Sequence, residues 1–126
     1  VGCTIGNIGL SHGHAWPSQE VMNSEILVMG HEHPAFSFRD RVDKLHSEPC
    51  WLRAPMIEHE RYERVPDLLI VMPAFGELAG RTMNREPLKG LGPILRNGLA
   101  DLSKARVETL EGLEFGELGN LLDLRL

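Results

Sequence analysis

Two histidine pairs carry the chemistry that can be read from this chain: Ser11-His12-Gly13-His14 and Gly30-His31-Glu32-His33-Pro34. Each closes a short apolar run, Ile8-Gly9-Leu10 in the first case and Ile26-Leu27-Val28-Met29 in the second. Imidazole is the commonest ligand for borderline transition metals. Side chains presented at strand ends converge on one point when the parent strands are neighbours. The i, i+2 spacing places His31 and His33 on one face of an extended segment, where they can serve two adjacent ions. Gly30 lets the backbone approach such a site without a Cβ in the way. A single His-x-His is a weak motif, and many such pairs sit in solvated loops. Its repetition after a second strand is what points to a metal. Three histidines such as His12, His31 and His33 suffice for one zinc with an open fourth position.

Other reactive side chains read as structural. Glu32 lies between two histidines on the opposite face of an extended segment, so it reads as a solvated or salt-bridged carboxylate, not a general base. Cys50, before Trp51, lacks a catalytic Cys-His signature and reads as a small buried thiol. Gly76-Glu77-Leu78-Ala79-Gly80-Arg81 lacks the Lys and Ser/Thr of a phosphate-binding loop. Trp16 reads as a packing residue, and His46 and His59 as exposed residues of polar connections.

The elements that must position the histidines are short. Ile8–Leu10, Glu25–Met29 and Leu68–Met72 are apolar runs stopped by Gly or Pro, which predicts buried strands. Ala35–Phe38 and Pro49–Leu52 predict a hairpin pair, and Arg106–Leu110 alternates like an edge strand. Ser18 predicts an N-cap for one or two helical turns. The stretch from Gly76 to Gly92 predicts a long loop, Glu58 to Arg64 an exposed connection, and Gly116 to Leu126 a leucine-rich helical turn. With 126 residues, 13 glycines and 8 prolines, the chain suits one loop-rich domain of mixed α/β (α+β) class. Its 13 basic and 18 acidic residues leave a net charge of −5, which gives no support to non-specific nucleic-acid binding. No apolar run approaches the roughly 18 residues of a membrane span. Two cysteines are too few for a disulfide framework and fit a reduced, cytoplasmic setting.

His12-Gly13-His14 followed by Gly30-His31-Glu32-His33-Pro34 resembles the last two motifs of the calcineurin-like metallophosphoesterases. Gly30–Ala35, Pro49-Cys50-Trp51-Leu52 and Leu69-Ile70-Val71-Met72-Pro73-Ala74-Phe75-Gly76 follow in an order similar to the SbcD-related, archaeal-type phosphoesterases. The likeness runs from about Ile8 to the closing leucines. The first three motifs of that family, Asp-x-His, Gly-Asp-x-x-Asp and Gly-Asn-His, have no counterpart here, because Gly6-Asn7 and Gly119-Asn120 are followed by Ile8 and Leu121. The resemblance therefore implies that residues 1–126 are the C-terminal portion of one domain, beginning at Val1 without its N-terminal half.

The resemblance implies further that His12 and His31 bind one metal, and that His33 binds a second beside ligands of the missing half. Manganese is the first expectation for this pair of divalent ions, with iron, zinc or nickel as alternatives. Two such ions lower the pKa of a bridging water and clamp phosphate oxygens. The implied fold is a four-layer α/β/β/α sandwich, of which this chain forms mostly the second sheet. The implied function is hydrolysis of phosphodiesters or phosphomonoesters, with this chain inactive alone. The alternatives are a repair-type nuclease and a non-catalytic metal-binding or interaction fragment. The expected partners are a phosphoester substrate and the missing half, with no membrane. His14 has no firm family role and reads either as a residue that supports the ligands from behind or as a loop residue, while Arg81 or Asn84 at the site's rim are weak substrate contacts.

Overall fold

The apolar runs do become strands, and their register decides where the histidines end. The computed structural model describes residues 2–74 and 80–126. Its strands are β1 (Cys3–Ile5), β2 (Ile8–Ser11), β3 (Ile26–Met29), β4 (Pro34–Arg39), β5 (Leu45–Pro55), β6 (Leu68–Val71), β7 (Arg81–Thr82), β8 (Arg106–Thr109) and β9 (Glu114–Glu117). The helices α1 (Gln19–Met22) and α2 (Pro93–Arg96) are single turns, so the chain is mixed α/β and mostly sheet.

β2, β3 and β6 run parallel in step, Leu10 beside Val28 and Val28 beside Ile70. The long β5 then pairs antiparallel with β6 through Leu52–Pro55 and with β4 through Leu45–Pro49. β8 lies against β5 at Cys50–Arg53 and carries β9 on its other side. It is therefore not the edge strand its alternation suggested. Four elements, β1, β9, α2 and a 3-10 turn at Leu102–Lys104, go beyond the expected set, and β7 interrupts the Gly76–Gly92 loop. The leucine-rich tail makes only one 3-10 turn, Leu118–Asn120.

One face of the sheet is dry. Leu27, Met29, Leu52, Leu69, Val71 and Val107 are buried there with Val21 and Met22 of α1 and Ile94 and Leu95 of α2. Each such aliphatic side chain is stabilising by about 1.5–3 kcal/mol. Ser18 accepts a hydrogen bond from Val21 N (3.3 Å), the cap its position predicts. The other face behaves differently. Ile8, Ile26 and Leu68 form one row across it and Leu10, Val28 and Ile70 the next, all half-buried. Ile5, opposite Ile8, is 67% exposed. On β5 the same face turns charged, with Arg53 2.8 Å from Glu108. Parallel strands normally have both faces covered. Here an aliphatic patch spans three parallel strands without a layer of described residues over it.

His46 sits within β5 and His59 in a turn, and both are half-buried, not exposed. The His46 ring stacks on Phe38 (5.0 Å between centroids) and meets Asp40 Oδ2 at 2.8 Å. That hydrogen bond, with backbone N–H donors at Lys44 and Val42, holds the Asp40 carboxyl below its usual value. Trp16 packs as expected, against Tyr62 and under the Arg61 guanidinium (4.3 Å). Among the described residues, no helix is long and apolar enough to cross a membrane.

The two cysteines differ sharply. Cys50 is fully buried, and burial pushes its thiol up to about 12, whereas Cys3 is exposed. Iodoacetamide at pH 8 is therefore expected to alkylate one cysteine of the native protein, and peptide mass spectrometry should place it at Cys3. Both should react in guanidinium chloride. Native labelling of Cys50 would contradict this burial.

Candidate metal site

Parallel register delivers the histidines to one edge of the sheet. Ser11 pairs with Met29, so the residues that follow each strand, His12 and Gly30-His31, leave side by side. Gly30 N donates to the His12 carbonyl at 3.0 Å and joins the two loops. The His12 and His31 ring centroids are 5.2 Å apart. His14 completes a triangle, 5.1 Å from His12 and 6.3 Å from His31. His33 stands outside these ring contacts but lines, with His12 and His31, a cleft of about 420 Å³ walled by Val28, Met72 and Pro73. The cleft lies beyond the C-terminal ends of β2, β3 and β6, where open parallel sheets place their ligands. His12, His14 and His33 are exposed and His31 is half-buried.

The backbone between the second pair is not extended. His31 has φ +68° and His33 φ +49°, both left-handed, and Glu32 N donates to Gly30 O at 2.8 Å across a three-residue turn. Such conformations are costly for residues with a Cβ and persist only when their surroundings impose them. Here the cause is Glu32. Its side chain is fully buried and accepts from Leu91 N (2.7 Å), Gly92 N (2.7 Å) and the Arg81 guanidinium (3.2 Å). Pulling this carboxylate inward folds the chain at His31 and His33, so the same-face argument from i, i+2 spacing fails. Glu32 is salt-bridged, as its sequence position allows, but it is not solvated.

The same anchor reaches the first histidine loop. Gly92, held by Glu32, lies so close to Gly13 that a Cβ on Gly92 would overlap the Gly13 carbonyl oxygen. Gly13, at φ +105°, in turn sits where a Cβ would stand 3.1 Å from Gly30 O and 3.3 Å from His31 Cβ. The left-handed backbone therefore requires glycine at Gly13, and close approach requires it at Gly92. Gly30, expected in that role, would place a Cβ no nearer than 3.8 Å to its surroundings. Arg81 adds hydrogen bonds from its N–H to His33 O (2.8 Å) and from its guanidinium to Lys89 O (3.0 Å). Asn84 is buried, donating to Ser37 O and Leu121 O (both 2.7 Å), which removes it from the rim. Residues 76–79 of the glycine-rich stretch, and Phe75, lie outside the described residues.

The donor set does not make a two-ion centre by itself. Among the described residues, no carboxylate lines the cleft. Among the described residues, no three His, Cys, Asp or Glu side chains are set as they stand to hold a metal ion. Two cations a few ångströms apart need a bridging anion to offset their repulsion, and Glu32 is committed elsewhere. His12, His31 and His33 fit only a share of such a centre. Sequence reasoning missed the anchoring by Glu32 and left His14 between a supporting place and a loop; its ring lies beside His12 and His31. The one available signal was the pair of glycines Gly90 and Gly92, since Arg81 is one of several basic residues downstream. Comparison with protein-family models, curated proteins and solved structures finds no match to this chain.

Replacing Glu32 by Ala leaves two backbone N–H groups and a guanidinium without their acceptor, at a cost of about 3 kcal/mol. The expected result in thermal unfolding is a midpoint lower by about 10 °C. Glu32→Gln, which keeps one acceptor oxygen, should lose less. A midpoint unchanged in Glu32→Ala would show that the carboxylate does not hold the loops.

Proposed function

We propose that residues 1–126 are the C-terminal portion of a metal-dependent phosphoesterase domain of the calcineurin-like type, which hydrolyses phosphodiesters or phosphomonoesters. The observation that carries this reading is the pair of histidine loops at the ends of adjacent parallel strands, with His12, His31 and His33 on one cleft. In this reading His12 and His31 share one divalent ion and His33 serves a second. Bridging carboxylates would come from sequence outside this chain. When bound, such ions supply Lewis-acid charge against the phosphate oxygens. This chain's own residues bind and orient: the Glu32 anchor fixes the histidine loops, and Val28, Met72 and Pro73 wall off one side of the cleft.

The half-buried aliphatic rows from Ile8 to Ile70 support the same reading. A second sheet stacked about 10 Å away would cover them, as the four-layer sandwich requires. The sheet described here would then be mostly the inner second layer. A nuclease of the same family remains the variant reading for substrate, without support from the net charge of −5.

The test is hydrolysis of bis(p-nitrophenyl) phosphate with manganese, by this chain and by a longer protein carrying the three upstream motifs. Turnover is expected from the longer protein only, with a loss of at least about 100-fold in its His31→Ala variant. Comparable turnover by the two proteins, or full activity without His31, would contradict the proposal.

A further inference from the structure

We propose that the end of β4 farthest from the histidine cleft carries a separate site, an arginine-lined pocket that binds the phosphate group of a small ligand. It shares no residue with the phosphoesterase reading and needs no metal.

β4 leads away from His33 and ends at Arg39. Its outer edge pairs with β7 only as far as Ala35, opposite Thr82. The closing residues of the chain return to that edge at Arg39, whose N–H donates to Leu124 O while Leu126 N donates to Arg39 O, both at 2.9 Å. Between these two pairings the buried Asn84 side chain takes the place of a strand. Its amide oxygen accepts from Ser37 N (2.8 Å), and its NH2 group donates to Ser37 O and Leu121 O (both 2.7 Å). A side chain fills less space than a strand, and a pocket of about 340 Å³ lies over the gap.

Arg39, Arg85 and Arg125 line this pocket, and among the described residues Asp123 is its one carboxylate. The pocket is thus locally positive on a chain whose net charge is −5. Each guanidinium carries five N–H donors. Among the described residues Arg39 uses one, to Asp43 O (3.0 Å), Arg125 uses one, to Asp43 Oδ1 (2.7 Å), and Arg85 uses none. The same Asp43 Oδ1 stands 4.0 Å from Arg39 Nε, so two of the three guanidiniums already face one acceptor oxygen. Asp43 is exposed, and an exposed carboxylate holds such a pair weakly, so a dianion can displace it. Three guanidiniums match the three terminal oxygens of a phosphate monoester, whereas a carboxylate offers only two. The volume suits a small molecule, and Phe38 and Leu124 give an apolar wall for its organic body.

The experiment titrates this chain, in EDTA to exclude metal, with inorganic phosphate and with phenylphosphonate, whose C–P bond no phosphoesterase cleaves. Amide chemical shifts of the isotope-labelled protein locate the anion, and circular dichroism checks that each variant is folded. Saturable shifts should appear at residues 37–39, 84–85 and 123–125 and leave 12–14 and 30–33 unmoved. Arg85→Ala, which breaks no bond among the described residues, should weaken binding by about tenfold or more. Asp43→Asn should bind about threefold tighter, because it frees Arg125 of its internal counter-charge and Asn tolerates the left-handed backbone there (φ +64°). Arg53→Ala, at an exposed arginine of β5, should leave affinity unchanged. Tighter binding of phenylphosphonate than of phosphate identifies an organic ester as the ligand, and equal affinity identifies free phosphate. The site is overturned by the absence of saturable shifts at these residues, by full affinity in Arg85→Ala, by no gain in Asp43→Asn, or by equal losses in Arg53→Ala and Arg85→Ala.

Discussion

Burial of the Glu32 carboxylate is the constraint on which the candidate site depends. A carboxylate with no solvent contact is strongly unfavourable unless its charge is met by donors. Two backbone N–H groups at 2.7 Å and the Arg81 guanidinium at 3.2 Å meet it here. The consequence is local geometry that the flanking residues would not adopt alone. His31 and His33 take left-handed conformations because the residue between them is held inward. Gly92, drawn to the same carboxylate, presses against Gly13, so one buried charge sets both histidine loops.

The sheet supplies the frame for that anchor. β2 and β3 run parallel in step, and their ends therefore open on the same edge. The dry face, centred on Leu27, Leu69 and Leu52, secures the strands, while the six aliphatic side chains opposite leave a surface suited to a further layer. Both features belong to one architecture: a parallel unit carries ligands at its C-terminal edge and asks to be covered on two faces. The histidines and the uncovered rows are thus separate consequences of the same three strands.

Much of this frame was legible in the sequence. Ile26–Met29 and Leu68–Val71 are apolar runs stopped by Gly30 and Pro73. A hairpin after Ala35–Phe38 was legible but its register was not: β4 pairs with Leu45–Pro49, and of the expected partner Pro49–Leu52 only Pro49 lies opposite it, Cys50–Leu52 pairing with β8. Ser18 acts as the cap its position suggests. Cys3–Ile5 gave no signal because the strand is exposed along its length, with no burial period to read. Glu114–Glu117 is marked by Gly116 at φ +86° and pairs across an irregularity in β8, and its one core contact, Phe115 on Phe36, gives no alternation to read. The role of Glu32 was illegible for another reason. Its partners lie 49 to 60 residues further along the chain. Only the fold brings them together, and without them His31-Glu32-His33 looks like a simple extended triplet. His14 stayed between two readings through the same gap, because its place beside His31 follows from the contact that Gly13 makes.

The central claim is that a buried charge holds the two histidine loops side by side. The most direct measurement is amide hydrogen exchange at Leu91 and Gly92, whose N–H groups donate to Glu32, in Glu32→Gln at a temperature where circular dichroism shows the variant fully folded. The account predicts exchange faster by about 10–100-fold at both amides, the consequence of weakening a charge-assisted hydrogen bond. Exchange at both amides equal to that of the unmodified chain would contradict it.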